Sequence, residues 1–125
     1  MDTRIQEALT ANQTIEITTT GRTSGKPHRV ETALIVVDGM LYLSGFPGKR
    51  DWYANLLAHP AFTLHLKERV VADVPAVATP ISDAKARRRI IGTIVTRWHR
   101  TDELESWVAG SPLMALSVDG ANESA

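Results

Sequence analysis

The sequence has no cysteine, no net charge and no long apolar segment, and each absence excludes a class of protein. Without cysteine, the chain has no disulfide, no thiolate nucleophile and no cysteine-ligated metal. Its 14 basic and 14 acidic residues balance, whereas a general nucleic-acid-binding protein more often has a basic excess. No apolar run approaches the roughly 18 residues that a membrane-spanning helix needs. We therefore expect neither a nucleic-acid partner nor a membrane-spanning segment.

The composition is that of a globular domain. Hydrophobic residues make up 43% of the 125 residues and charged residues 22%, which are ordinary proportions for a chain with a packed core. We expect a single cofactor-binding domain over residues 1–125, with residues 1–12 as an N-terminal extension or short helix and residues 119–125 as a tail. The first residues lack the order of a secretion signal, so a cytoplasmic location is the expectation.

Short alternating segments separated by turn residues predict a mainly antiparallel β fold. The predicted strands are residues 15–20, 29–37, 40–44, 62–66, 70–74 and 113–118. Asp38-Gly39 is a strong hairpin signal between two of them, and Lys67-Glu68-Arg69 forms a second tip. These hairpins argue against a parallel doubly wound sheet. Pro75 predicts an edge strand or a bulge at that point.

Helices are expected to cover the sheet singly. Asp51 is predicted to cap a short helix that stops at His59-Pro60. Ser82 is predicted to cap a longer helix, and a short helical piece follows over residues 102–108. The apolar stripe of the longer helix consists of Ile90, Ile91, Ile94, Val95 and Trp98. We therefore predict an α+β, mainly β barrel of about six antiparallel strands with two to four covering helices.

No catalytic or metal-binding pattern accompanies this fold. None of the serines has a Gly-x-Ser-x-Gly setting. No two of the four histidines lie three or four residues apart, so they form no local metal pair, and we expect no metal. His59 and His65 are interpreted as structural or surface residues. Difficult chemistry therefore has to come from a bound cofactor.

The glycine-rich segment 21–26 is the best candidate for binding one. Its glycines permit conformations in which successive N–H groups point at an anion. Thr23 and Ser24 add hydroxyl donors, while Arg22 and Lys26 add positive charge. By itself the pattern is more typical of an ordinary turn, because such residues dominate turns generally.

Two motifs in the same order resemble those of the deazaflavin-dependent nitroreductase and quinone reductase family. Residues 18–29, Thr-Thr-Thr-Gly-Arg-Thr-Ser-Gly-Lys-Pro-His-Arg, resemble its Thr-Thr-x-Gly-Arg-x-Ser-Gly-x-Pro-Arg signature. Residues 51–60, Asp-Trp-Tyr-Ala-Asn-Leu-Leu-Ala-His-Pro, resemble its Trp-Tyr-x-Asn-Leu-x-Ala-Asn-Pro segment. Glu105-Ser106-Trp107 is a fainter match, so the resemblance extends over residues 15–118.

The resemblance implies a split β-barrel, related to the FMN-binding pyridoxamine-phosphate oxidases, that binds coenzyme F-420. The tail of this cofactor carries a phosphodiester and glutamates, which suits the local basic excess between residues 22 and 50. The implied cofactor-binding residues are Arg22, Thr23, Ser24, Lys26, His28 and Arg29 at the phosphate, Ser44, Gly45, Phe46, Pro47, Gly48 and Lys49 at the ring, Arg50 at the tail, and Trp52 and Asn55 behind the loop. Ser44 is also the candidate for hydrogen-bonding an acceptor oxygen, and Trp98 for walling the pocket.

Departures from the family pattern leave alternatives open. Thr23 and His28 stand where the family often has lysine and arginine, and the loop after Ser44 is shorter than usual. Trp98, Thr101 and Leu104 stand where well-studied members have tyrosines. The expected function is an F-420-dependent oxidoreductase that transfers a hydride to an undetermined small organic acceptor. The alternatives are an FMN- or haem-type-ligand-binding split barrel and a non-catalytic deazaflavin carrier. Monomer and homodimer are both open.

Overall fold

The computed structural model describes residues 1–118. The strands are β1 (Gln13–Thr20), β2 (Pro27–Val37), β3 (Met40–Ser44), β4 (Ala61–Leu66), β5 (Ala72–Pro80) and β6 (Leu113–Val118). The helices are α1 (Thr3–Ala8), α2 (Asp51–Ala58), α3 (Ala84–Arg97) and α4 (Leu104–Gly110), with a 3-10 turn at Thr101–Glu103. The expected tail lies outside the described residues. Within residues 1–118, every helix is too short or too polar to cross a membrane.

The strands form one closed antiparallel barrel in the order β1-β2-β3-β6-β5-β4, and β4 pairs back onto β1. This confirms the predicted mainly β barrel with covering helices. The β2–β3 hairpin turns at Asp38 and Gly39, whose φ angles of 51° and 77° are those that a tight two-residue turn requires. Closure gives each of the six strands a neighbour on both sides over part of its length.

Alternate residues of the strands fill the inside of the barrel. On β1, Ile15 and Ile17 are completely buried, while Glu16 between them points to the outer face. Helix α2 closes one part of this core with Trp52 and Leu56. Each such side chain contributes about 1.5–3 kcal/mol on full burial, so the position of α2 against the barrel is firmly fixed.

A second apolar cluster joins α3 and α4 to the outside of the barrel. It contains Ile90, Ile91, Ile94 and Val95 of α3 together with Ile35, Val37, Tyr42, Trp107 and Leu113. The α3 residues recur at helical spacing, as the sequence predicts. At the end of α4, a Cβ atom on Gly110 would lie 3.3 Å from the Pro47 side chain. The helical layer therefore reaches the loop between β3 and α2.

Two predicted helix caps are wrong by one residue. The carboxylate that caps α3 is Asp83, whose Oδ2 accepts from the Ala86 N–H at 2.9 Å; Ser82 lies one residue too early to reach it. Asp51 is the first residue of α2 instead of its cap, and Arg50 occupies the cap position without a side-chain capping bond. Asp51 still stabilises the helix, because a carboxylate in the first turn interacts favourably with the helix dipole.

Pro75 occupies an edge position, which is one of the two predicted alternatives. Strand β5 continues through this proline, which pairs with Thr63 of β4. Within the described residues, pairing of β5 with β6 begins one residue later, at Ala76. The proline therefore lies at the end of that ladder, where its missing N–H costs little.

Candidate functional site

A cleft of about 580 Å³ lies where β1 ends, β2 begins and α2 begins. Among the residues predicted for a cofactor, its walls include Arg22, Thr23, Ser24, His28, Arg29, Lys49, Arg50, Trp52 and Asn55. The two sequence motifs therefore meet in space, because α2 packs against the end of β1. Lys26 does not line this cleft.

Asn55 joins the two motifs through hydrogen bonds. Its buried Oδ1 accepts from the Arg22 backbone N–H at 3.1 Å and from Arg22 Nη1 at 2.9 Å. Its Nδ2 donates to Thr19 Oγ1 at 3.2 Å. The amide thus fixes both the backbone and the guanidinium of Arg22, and it presents this cation at the mouth of the cleft.

The loop after β1 leaves backbone donors free for a ligand. Gly21 N–H donates to the Lys26 carbonyl at 2.8 Å, and Gly25 N–H donates to the Gly21 carbonyl at 2.9 Å. Gly25 has a φ of 69°, a conformation that favours glycine. Within residues 1–118, the N–H groups of Thr23 and Ser24 donate no hydrogen bond. Two consecutive N–H groups of residues in the cleft wall are therefore unpaired within residues 1–118.

Gly21 is required by close packing inside this loop. A Cβ atom at this position would lie 2.4 Å from Ser24 Oγ and 2.6 Å from His28 Nε2. These two side chains are 3.4 Å apart, and Ser24 Oγ also accepts from the Lys26 N–H at 3.1 Å. The missing side chain thus gives room for two polar groups that line the cleft.

Positive charge around the cleft is only partly neutralised. Arg22 Nη2 lies 3.5 Å from the exposed Asp51 carboxylate, and Arg29 forms an ion pair with Glu16 at 2.7 Å. The Arg29 and Lys67 side chains together hold the pKa of Glu16 below its usual value. Within residues 1–118, Lys49 has no acidic partner. The cleft therefore keeps a net attraction for anions.

The cleft continues into a second space of about 380 Å³, and we call the two together the groove. The two parts share Val30, Arg50 and Trp52. The second part follows β2 to Ala33 and ends at Ser44, Gly45, Phe46 and Trp98. The groove thus has a cationic end near Arg22 and an aromatic end near Trp98.

The loop at the aromatic end is held by Arg50. Its Nη1 donates to the Gly48 carbonyl at 3.0 Å and its Nη2 to the Phe46 carbonyl at 2.8 Å. Gly48 N–H donates to the Gly110 carbonyl at 3.0 Å. Pro47 faces Gly110 and does not line the groove. Gly48 and Lys49 precede Arg50 in the same loop. Lys49 lines the groove, whereas Gly48 does not.

Ser44 lines the aromatic end, but its hydroxyl is already used. The buried Oγ donates to the Pro112 carbonyl at 2.7 Å. To donate to an acceptor, Ser44 would have to release that carbonyl. This hydrogen bond joins β3 to the segment before β6.

An aromatic wall closes this end of the groove. The Trp98 ring centroid lies 6.1 Å from that of Phe46 and 5.5 Å from that of Trp107. The Arg100 guanidinium lies over the Phe46 ring at 4.7 Å, an arrangement that favours cation–π attraction. Trp107 Nε1 donates to Glu103, and this bond together with Arg100 lowers the pKa of that carboxyl below its usual value.

Several groove residues were not among the predicted ones. They are Thr19, Val30 and Asp51 at the cationic end, and Glu31, Thr32 and Ala33 at the aromatic end. The strand pattern of β2 could have predicted those that lie on this strand, because residues that follow His28 along the strand extend the same side of the groove. Within residues 1–118, no three histidine or acidic side chains form a metal-binding group.

The structure is a six-stranded split barrel with a groove that has cationic residues at one end and aromatic residues at the other. Residues 1–118 match the family model of the F420H2-dependent quinone reductases. This chain therefore belongs to that family. No curated protein matches its sequence.

Solved structures show the same fold at low sequence identity. A conserved hypothetical protein from Mycobacterium tuberculosis superposes with a TM-score of 0.71 at 17% identity, over 95% of this chain and 81% of that one. An F420-H2 dependent reductase (FDR-A) has a TM-score of 0.59 at 19% identity, over 83% and 93%. A putative pyridoxamine 5'-phosphate oxidase from Listeria innocua has a TM-score of 0.65 at 13% identity, over 93% and 91%.

Proposed function

We propose that this chain binds reduced coenzyme F-420 in the groove and transfers a hydride to a small organic acceptor. The observation that carries the proposal is the Arg22–Asn55 arrangement, which fixes a cation at one end of the groove, where Thr23 and Ser24 also line the wall. Membership of the F420H2-dependent quinone reductase family supports the cofactor, as does the likeness to a solved F420-H2 dependent reductase.

The donor set at the cationic end fits a phosphodiester. Free backbone N–H groups, the hydroxyls of Thr23 and Ser24 and the Arg22 guanidinium all donate hydrogen bonds, and a phosphate accepts several at once. Lys49 adds charge without an acidic partner within residues 1–118. These contacts replace the lysine and arginine that the family often has where this chain has Thr23 and His28. Lys26 and Arg29 would then act through the local field.

The aromatic end fits a flat ring. Trp52 and Val30 line both parts of the groove, and Phe46 and Trp98 lie beyond them. When bound there, the deazaflavin supplies the hydride from C5 of its ring. The chain orients that ring against the acceptor and excludes water, which strengthens every polar contact in the groove. Because the Ser44 hydroxyl donates to the Pro112 carbonyl, we propose that Ser44 positions the loop at the aromatic end and does not donate to the acceptor.

The test is a fluorescence titration of the purified protein with oxidised F-420 and, separately, with FMN. The variants are Arg22→Ala and, as a matched control, Arg69→Ala, which removes an exposed arginine between β4 and β5. We expect micromolar F-420 binding that weakens about 10- to 100-fold in Arg22→Ala, because a hydrogen bond to a charged group contributes about 1.5–3 kcal/mol. The control should bind like the wild type.

Two other results would change the assignment. Binding of FMN in place of F-420 would retain the fold and refute the cofactor; the likeness to a putative pyridoxamine 5'-phosphate oxidase supports this second candidate. Binding of F-420 without oxidation of its reduced form by any of a panel of quinones and nitroaromatics would instead identify a carrier. Equal binding by Arg22→Ala would remove the proposed phosphate site.

A further inference from the structure

A second cleft, of about 550 Å³, adjoins the groove at Lys49 and Arg50. Its remaining walls come from α2, α3 and the end of α4. They include Tyr53, Arg87, Ala109 and Ser111, and none of these four residues lines the groove. The second cleft is therefore a separate space that shares two cations with the groove.

Positive charge in the second cleft has no carboxylate to balance it within residues 1–118. Arg87 donates four hydrogen bonds, all to backbone carbonyls at 2.8–3.2 Å. Among the described residues, Arg50 also donates only to carbonyls, and Lys49 has no acidic partner. Carbonyl oxygens orient a guanidinium but do not neutralise it, so three cations attract an anion to the same cleft.

The wall of the same cleft contains a buried hydroxyl and an apolar surface. Ser111 is 4% exposed, and its Oγ has no hydrogen-bond partner within residues 1–118. A buried hydroxyl without a partner is rare in folded proteins. Tyr53 is half-buried with its ring edge-on to Trp52, and Ala109 also lines the wall. A ligand for this cleft needs an anionic group and an apolar body.

We propose that the second cleft binds a small organic carboxylate with an apolar or aromatic body. A carboxylate is favoured because Lys49, Arg50 and Arg87 on the wall attract its charge, while the apolar surface beside them contacts its body. The occupant would also draw Lys49 and Arg50 toward itself. It would therefore weaken anion binding in the groove, and this second statement rests on the proposed function.

Benzoate is the probe for the site, and benzyl alcohol is its uncharged control. The measurement is a titration followed by ¹H–¹⁵N NMR. We expect saturable shifts at the backbone signals of Tyr53, Ala109 and Ser111, with a dissociation constant on the order of millimolar, as fits a ligand of this size. Benzyl alcohol should bind at least tenfold more weakly. Equal binding of the two compounds, or shifts that never saturate, would overturn the proposal.

Variants distinguish the cleft from general surface charge. Ala109→Leu narrows the cleft without changing any charge, and it should weaken benzoate at least fivefold. Arg87→Gln should do the same, whereas Arg88→Gln removes the neighbouring arginine, which pairs with Glu105, and should change binding less than twofold. Because Arg87 also holds the chain before β6, Ala109→Leu decides the question if Arg87→Gln does not fold. Unchanged binding in Ala109→Leu would refute the site.

The coupling is tested by titrating F-420 with and without saturating benzoate. We expect benzoate to weaken F-420 binding at least threefold in the wild type and to have no effect in Ala109→Leu. If F-420 does not bind at all, the proposed function fails, while the NMR titration still decides the carboxylate site. If F-420 alone shifts the Ala109 and Ser111 signals, the cleft is part of the cofactor site and the separate site is refuted.

Discussion

Replacing Asn55 with alanine provides the sharpest test of how the groove is built. The Asn55 side chain is buried and makes three hydrogen bonds, two accepted from Arg22 and one donated to Thr19. Removing it leaves the Arg22 N–H and the Thr19 hydroxyl without that partner inside the protein. Each buried group that loses its partner costs about 1–3 kcal/mol, whereas an ordinary bond contributes about 1 kcal/mol.

The expected loss follows from how accessible each group is. Thr19 is 1% exposed, so water cannot replace the lost bond to its hydroxyl. The Arg22 guanidinium is close to half exposed, so water can solvate it, and losing its bond to Asn55 lowers the free energy of unfolding by less. We therefore expect Asn55→Ala to lower the free energy of unfolding by about 2–4 kcal/mol. Urea denaturation would show this as a midpoint lowered by about 1–2 M at an unchanged slope.

A double-mutant cycle with Arg22→Ala isolates the contact between the motifs. If Asn55 acts through Arg22, the double variant should be less destabilised than the sum of the single variants by about 1 kcal/mol or more. Asn55→Asp is the conservative control, because the carboxylate still accepts from Arg22 and the Thr19 hydroxyl can donate to it. A loss below about 0.5 kcal/mol for Asn55→Ala, or purely additive effects, would refute the reasoning.

Two further predictions concern the loop and the aromatic wall. Gly21→Ala should displace the Ser24 and His28 side chains, which a Cβ atom would approach to 2.4 and 2.6 Å. We expect a titration to show F-420 binding weakened severalfold, while the thermal unfolding temperature changes little. Unchanged F-420 binding would contradict this. Glu103→Gln should reduce stability at neutral pH, because the folded-state pKa of Glu103 is lowered; the stability that its carboxylate contributes is therefore present above pH 4.5 and lost as pH falls through the folded-state pKa. Urea unfolding between pH 7 and 3 should show the difference in unfolding free energy between variant and wild type shrinking with acid. A difference that stays constant with pH would contradict this.

Local sequence patterns are sufficient to predict the barrel. Alternation in β1 places Ile15 and Ile17 inside, and Asp38-Gly39 fixes the β2–β3 hairpin; both depend only on residues close in sequence. The helix caps show the limit of the same reasoning. Ser82 and Asp83 are both good caps, and which one serves depends on the entry angle of the chain into α3.

The site is less predictable because its contacts join distant segments. Arg22 and Asn55 belong to motifs that the family resemblance brings together, but their hydrogen bonds depend on how α2 packs on β1. The tether from Ser44 to Pro112 joins residues 68 positions apart, and no local pattern indicates it. From the sequence, Ser44 is a candidate for hydrogen-bonding an acceptor. In the structure, its hydroxyl donates to the Pro112 carbonyl instead.

The two ends of the groove differ in how the chain encodes them. The cationic end is built by a short loop whose glycines and hydroxyls are adjacent in sequence, so a motif is enough to identify it. The aromatic end depends on Arg50, which holds the carbonyls of Phe46 and Gly48, and on Gly110, which accepts from Gly48. Because these contacts lie outside the motifs, the resemblance supports the proposed phosphate contacts at the cationic end more strongly than it supports any particular acceptor beside the ring at the aromatic end.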